Sequence, residues 1–307
     1  MMAAEHGTPM PELARRMTLA TCHLDPVRAL IKVLTRMPGN GMPLGDILAD
    51  SGYAHRDAAA WAIPLRQAGA SLVQDLHPHD RGPKGTHHGA IIANGNLYCP
   101  QTPRTLLELT PLPPGAAPDA VASHDQQAAE LARHKLSQHT ADDADGYHRV
   151  TCPAITGKIR CPLRPCSMTL DRDRPEILTP PGHPPACCTQ QTITVGPDVA
   201  AKTRQKHDYP SAAWRRSYAR RTGAERANST IKDTASNNIA RGWCRMTGLS
   251  PLMLWTACLL AARNQRILAA YHARQEQNAR RAAAGLPPRT RKKRRTTTAS
   301  SLTTAPA

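Results

Sequence analysis

Asp46-Ile47-Leu48-Ala49-Asp50-Ser51-Gly52-Tyr53 is the stretch on which the fold turns. Ile47, Leu48 and Ala49 form a short apolar run that stops at a Ser-Gly turn signal, so residues 46–49 read as a strand ending at Asp50. Upstream, Asp25-Pro26 opens a helix in which Val27, Leu30, Ile31 and Leu34 share one face, and Pro38-Gly39-Asn40-Gly41 ends it. Downstream, a helix is expected over Asp57–Gln67 with Pro64 as a kink, then Gly69 and a second strand over Ala70–Leu76. Helix, strand, helix, strand is the alternation of an α/β layer with parallel pairing. Residues 1–24 show no clear period and are left unassigned.

Beyond Leu76 the pattern breaks. Residues 77–206 are rich in Pro, Gly, His and Cys, with strand-like runs at Ala90–Ala93 and Thr192–Val195 and one helix over Ser123–Ser137. They read as a mainly β and irregular insertion. Helical periodicity returns within 207–284, over Ser211–Lys232 and from Pro251 to Ala284. Residues 285–307 are basic, then Thr- and Ser-rich, the composition of a disordered tail. Its run Arg291-Lys292-Lys293-Arg294-Arg295 suits phosphate without regard to base sequence.

Lys plus Arg number 40 against 23 Asp plus Glu, for a formal charge of +17 and a pI of about 10.0. Such a surplus favours a polyanionic partner, because each neutralised phosphate releases condensed counterions. The chain has no Phe and 28 Pro, so its core must rest on Leu, Ile, Val, Ala and Met and stay modest. Nine cysteines, an odd number, with no apolar leader in MMAAEHGTPMPELARR, point to reduced thiols in a cytoplasm. Leu252–Ala262 is too short to span a membrane before Arg263 interrupts it, and is expected to be a buried helix.

Chemistry concentrates between Ser217 and Lys232. Tyr218, Arg221, Glu225 and Lys232 fall within roughly a 60° arc if the segment is one α-helix. Gly223 weakens that helix by about 1 kcal/mol relative to alanine without breaking it. One carboxylate among cations suits a site holding both Mg²⁺ and a phosphate; a solvated basic helix laced with ion pairs reads the same way.

The spacing Tyr218, Arg221, Glu225, Lys232 resembles the Tyr-Arg-Glu-Lys signature of bacterial insertion-sequence DDE transposases. The flanking His207-Asp208-Tyr209 and Arg226-Ala227-Asn228-Ser229 are similar to actinobacterial members. The resemblance covers about Asp25 to Ala284. It implies an RNase H-like α/β core interrupted by the insertion and closed by C-terminal helices, and transposition by cleavage and strand transfer of DNA with Mg²⁺ or Mn²⁺. Glu225 would be the third acid of the triad, and Asp50, at a strand end, the second. Both would be catalytic metal ligands, with Tyr218, Arg221, Arg226 and Lys232 on DNA. Asp75 and Asp80 are weaker alternatives to Asp50. A simple turn in which Asp50 accepts a local backbone bond is the plainer reading. The first acid is expected on an opening strand with two more strands behind it. Asp25 caps a helix, Asp46 lies one turn ahead of Asp50, and Glu5 and Glu12 come earlier. The expectation is therefore an incomplete core lacking the N-terminal DNA-binding region and first catalytic strand, and negligible strand transfer by this chain alone. Transposon ends and target DNA, a homo-oligomer and a nucleoid-associated location follow from the same resemblance.

Two further groups bear on ligands. Cys152, Cys161, Cys166, Cys187, Cys188 and His183 are a possible zinc set, with buried thiols as the alternative, since no CxxC pair occurs. His77, His79, His87 and His88 flank Asp80-Arg81-Gly82-Pro83-Lys84-Gly85, and read as a basic loop touching DNA rather than a metal site. Two other functions stay open: a non-catalytic DNA-binding remnant that modulates an intact transposase, and a zinc-stabilised basic interaction protein.

Overall fold

The computed structural model describes residues 2–3, 10–21, 25–233 and 244–289, with Arg226 described for its backbone only. The basic run at 291–295 lies outside them. Residues 1–24, left unassigned from sequence, carry two short strands where they are described. Strands β1 (Met2–Ala3) and β2 (Leu13–Ala14) pair antiparallel.

Helix α1 (Pro26–Leu34) begins where expected: Asp25 Oδ1 accepts the Val27 N–H at 3.0 Å and proline occupies the first turn. It buries Val27 and Leu34. Strand β3 (Asp46–Ala49) leads into the one-turn helix α2 (Ser51–Ala54), then α3 (Ala62–Gln67) and β4 (Ser71–Gln74). The two strands run parallel, Asp46 opposite Ser71 and Ala49 opposite Gln74. Their core holds Val27, Leu34, Met37, Ala49, Trp61, Leu65 and Leu72. The second helix starts at Ala62 rather than Asp57. There Pro64 falls in the first turn, where its missing N–H costs nothing; a start at 57 would place it in the helix interior.

Residues 77–206 hold two antiparallel sheets. Strands β5 (Pro83–His87), β6 (Ala90–Ala93) and β7 (Asn96–Tyr98) form a meander. After α4 (Arg104–Leu107) and α5 (Pro118–His134) come β8 (Ser137–Gln138), β9 (His148–Thr151), the short α6 (Ala186–Thr189) and β10 (Ile193–Val195), ordered β10-β9-β8. The helix expected over Ser123–Ser137 is thus displaced toward the N-terminus. Pro118 favours an early start, and Ser137 is drawn into pairing with Thr151.

The C-terminal part comprises α7 (Ala212–Tyr218), a 3₁₀ turn at Ala219–Arg221, α8 (Thr222–Lys232) and the long α9 (Leu249–Ala283). Leu252–Ala262 is not buried: Leu254 is 68% exposed and Trp255 37%. The buried side chain of α9 is Arg263, whose guanidinium faces the Glu12 carbonyl. Beside it Asn264 pairs with both backbone groups of Ala14, at 2.9 and 2.8 Å, like one residue of a neighbouring strand. Among the described residues no helix is long and apolar enough to cross a membrane. The architecture is mixed α/β, with small sheets and C-terminal helices.

Candidate active site

Parallel pairing puts two carboxylates side by side in register. Ala49 faces Gln74, so Asp50 and Asp75 each stand one residue beyond the C-terminal ends of adjacent strands. In parallel α/β sheets this edge is where ligands bind, because loops open there above fixed strand ends. Asp50 is exposed, and its Oδ1 caps α2 by accepting the Gly52 N–H at 3.1 Å. That is the local turn bond weighed above, and it engages one of the two carboxylate oxygens. A strand over Ala70–Leu76 would place Asp75 in its interior. The strand stops at Gln74, and Asp75 Oδ1 accepts from the Tyr209 phenol at 2.9 Å and from Arg81 at 3.2 Å.

The C-terminal helices reach this edge through an aromatic stack. Trp214 donates its indole N–H to the Gln74 carbonyl at 3.2 Å, fixing α7 across the end of β4. Tyr209 packs edge-on against Trp214 at 4.7 Å, and Tyr218 stacks on its other side at 4.9 Å. Burial raises the Tyr218 phenol above its ordinary pKa; Arg221 opposes this, while Asp75 and Asp50 add to it. Tyr218 therefore lies within electrostatic reach of both strand-end acids. Arg221 sits 5.6 Å from the Tyr218 ring centroid and donates to Glu225 Oε1 at 2.8 Å. Asp50, Tyr218, Arg221 and Glu225 are thus linked pairwise, in that order, with no contact between the two acids. Lys232 is exposed in the last turn of α8, about 10 Å along the axis from Glu225. The Arg226 side chain lies outside the described residues.

The single-helix stripe needs correction. The 3₁₀ turn at Ala219–Arg221 advances about 120° per residue instead of about 100°, so Tyr218 is rotated relative to Glu225 and Lys232. The turn places Arg220 on the opposite side, where it and Lys206 hold Asp46 at 2.5 and 2.7 Å. Burial raises the Asp46 pKa, yet these two hydrogen bonds outweigh it and leave the carboxyl below its ordinary value. Asp80 is likewise committed, to Lys202 at 2.8 Å.

The four histidines do not form one loop site. His77 stacks on His79 and meets His55 at a tilt, whereas His87 and His88 pair at 4.4 Å and His87 reaches the Thr194 carbonyl. Trp214 is not among the residues expected from sequence, Tyr209 enters there only as flanking context, and Asp75 shares with Asp50 its place at a strand end. The equal placement of Asp50 and Asp75 after two parallel strands was the available signal. No family model, no curated protein and no solved structure matches this chain.

Proposed function

We propose that the chain belongs to the machinery of DDE-type DNA cleavage and strand transfer, on an RNase H-like plan. One observation carries the reading: Tyr218, stacked on Trp214 at the end of β4, lies near Asp50 and Asp75 at the C-terminal edge of a parallel strand pair, and Arg221 links it to Glu225.

The donor chemistry suits Mg²⁺, a hard cation that prefers carboxylate oxygens. Asp50 and Glu225 would hold it, with Asp75 adjacent. Among the described residues no three acidic, histidine or cysteine side chains close on one point as placed, and Glu225 is turned toward Arg221. That ion pair is exposed, and exposed pairs contribute about 0–1 kcal/mol, so exchanging Arg221 for a cation costs little. Such an ion supplies Lewis-acid polarisation of a phosphate oxygen. The chain's own groups position the substrate: Arg221 released from Glu225, Lys232 and Arg226 take backbone phosphates, and the Tyr218 phenol orients one by hydrogen bonding.

A second reading, DNA binding without cleavage, is favoured by the commitments of Asp50 to its own turn and Glu225 to Arg221. One assay separates the two. Plasmid nicking and joining of a labelled 3′-hydroxyl oligonucleotide are followed with Mg²⁺ or Mn²⁺. Glu225→Gln and Asp50→Asn are each expected to abolish whatever cleavage the unaltered chain supports while leaving DNA retention intact. Cleavage indifferent to both changes overturns the assignment. Retention of DNA with no cleavage by the unaltered chain selects the second reading.

A further inference from the structure

Cys99, Cys152 and Cys161 occupy three turns of one design. Each is followed by proline, and in each the N–H three residues on returns to the cysteine carbonyl. Thr102 does so to Cys99 at 3.0 Å, Ile155 to Cys152 at 3.0 Å and Arg164 to Cys161 at 2.9 Å. Proline at the second position presets such a turn. The N–H two residues on is directed at the sulfur: Gln101 at Cys99, Ala154 at Cys152 and Leu163 at Cys161. A backbone dipole aimed at sulfur does little for a buried thiol and much for a thiolate.

The turns open just past β7, just past β9 and in the loop that follows. Their cysteines share one buried cluster with Ile159 and Ile177. Cys188, on α6, is buried within electrostatic reach of all three. Arg164 stands beside Cys161 and Cys188 and supplies positive charge. All of these cysteines are free of disulfides. Buried cysteine acting as a small apolar side chain would account for the cluster, but not for a thrice-repeated turn with its N–H groups turned inward.

We propose that Cys99, Cys152, Cys161 and Cys188 are the ligands of a structural zinc ion that ties the end of the β5–β7 meander to the β8–β10 sheet and α6. Four thiolates are the donor set of a closed tetrahedral zinc site. On binding, each thiol gives its proton to solvent and its sulfur lone pair to the ion. The resulting double negative charge is offset by Arg164 and the inward N–H groups. As placed, the side chains of the described residues form no group of three or more metal donors closing on one point. Zn–S bonds of about 2.3 Å set sulfurs about 3.8 Å apart, a spacing protonated thiols have no force to adopt. Rotation about the Cα–Cβ bonds is the adjustment the proposal requires. The ligand set weighed from sequence is revised: Cys166 and His183 are exposed and fall out, Cys187 gives way to its neighbour Cys188, and Cys99 enters.

The test is metal analysis of the full chain purified without chelator, followed by cobalt substitution. About one zinc per chain is expected. The cobalt form should show thiolate charge-transfer absorption and the intense visible bands of a tetrahedral site. Cys99→Ser, Cys152→Ser, Cys161→Ser and Cys188→Ser should each lower the zinc content at least several-fold, whereas Cys166→Ser and Cys258→Ser keep it. Because a ligand variant can unfold, the unaltered chain also decides the matter by alkylation. Four thiols should be shielded from maleimide until a chelator is added, then become reactive together. Absence of stoichiometric zinc together with a featureless cobalt spectrum overturns the proposal. So does alkylation of all four thiols in the folded chain without chelator, or a Cys187–Cys188 disulfide found by mass spectrometry in the purified protein.

Discussion

Gln74 shows how much one side chain can organise when it is fully buried and fully paired. Its Oε1 accepts the Trp61 indole N–H at 2.9 Å and its Nε2 donates to the Lys202 carbonyl at 3.3 Å. Its backbone N–H meets the Gln205 side chain at 2.9 Å, and its carbonyl holds Trp214. One residue at the end of β4 therefore fastens the strand to α3, to the segment ahead of Tyr209 and to α7, which carries the aromatic stack. Gln74→Leu keeps the volume and strips the side-chain partners, leaving Trp61 Nε1 and the Lys202 carbonyl unpaired in the interior. At about 1–3 kcal/mol for each orphaned group, the expected loss is about 2–6 kcal/mol, read as a lower urea midpoint at unchanged slope. Loss of under about 0.5 kcal/mol would show that water replaces the amide and that Gln74 is not the tie. Its neighbour Asp75 depends on the same arrangement, because the Tyr209 phenol reaches it only while α7 stays docked.

Among the elements, the parallel pair was the most legible part of the chain, since an apolar run stopped by Asp50-Ser51-Gly52 has few other readings. The helix carrying Glu225 was legible in existence and not in phase. Tyr218 to Lys232 has helical periodicity throughout, but periodicity does not report a 3₁₀ turn of three residues, which packing of Arg220 against Asp46 selects. The cysteines proposed to hold zinc were half legible. Counting close cysteine pairs missed them, whereas the Cys-Pro dipeptides at 99, 152 and 161 carry the signal. The N-terminal segment was not legible, because its order comes from Asn264 and Arg263, about 250 residues away in sequence. That segment also explains a weak point of α8. A Cβ built on Gly223 would stand 2.5 Å from Glu12 Oε1, so the glycine makes room for the carboxylate. Gly223→Ala alone is expected to forfeit most of its propensity gain of about 1 kcal/mol, because Glu12 must move. In a Glu12→Ala background the same change should give the full gain. A double-mutant cycle read by thermal unfolding measures the coupling; additive effects would mean that Glu12 does not touch α8 in solution.

At the scale of the whole molecule, the charge of +17 is held by local pairings that leave cations facing one another. Lys135, Lys158, Arg204, Lys206 and His148 line a cleft of about 490 Å³ in which the acids are Asp142 and Asp208. Burial lowers the His148 pKa, Arg204 lowers it further, and Asp142, 3.2 Å from its Nδ1, opposes both. His207 is lowered in the same sense, by burial and then by Lys206, against Asp46. A histidine whose folded pKa lies below its unfolded value of 6.5 takes up protons more readily when the chain unfolds. Its contribution to stability is complete above pH 6.5 and is lost as the pH falls through the lower, folded value. The lowered Asp46 carboxyl has the same sign in a more acid window. Its contribution is present above its ordinary value of 3.8 and disappears only as the pH falls below that. Acid should therefore weaken the fold in two stages, the imidazoles first. Between about pH 7.5 and about pH 5.5 the urea midpoint is expected to fall, with Asp46 contributing nothing to that interval. His148→Gln removes the proton-binding group from the cleft and should flatten the slope, and Arg204→Met should flatten it partly by restoring the His148 pKa toward its ordinary value. A slope unchanged in His148→Gln would assign the weakness to the other lowered imidazoles, His207, His134 and His77, and a slope that survives their combined replacement by Gln would show that imidazoles are not its source.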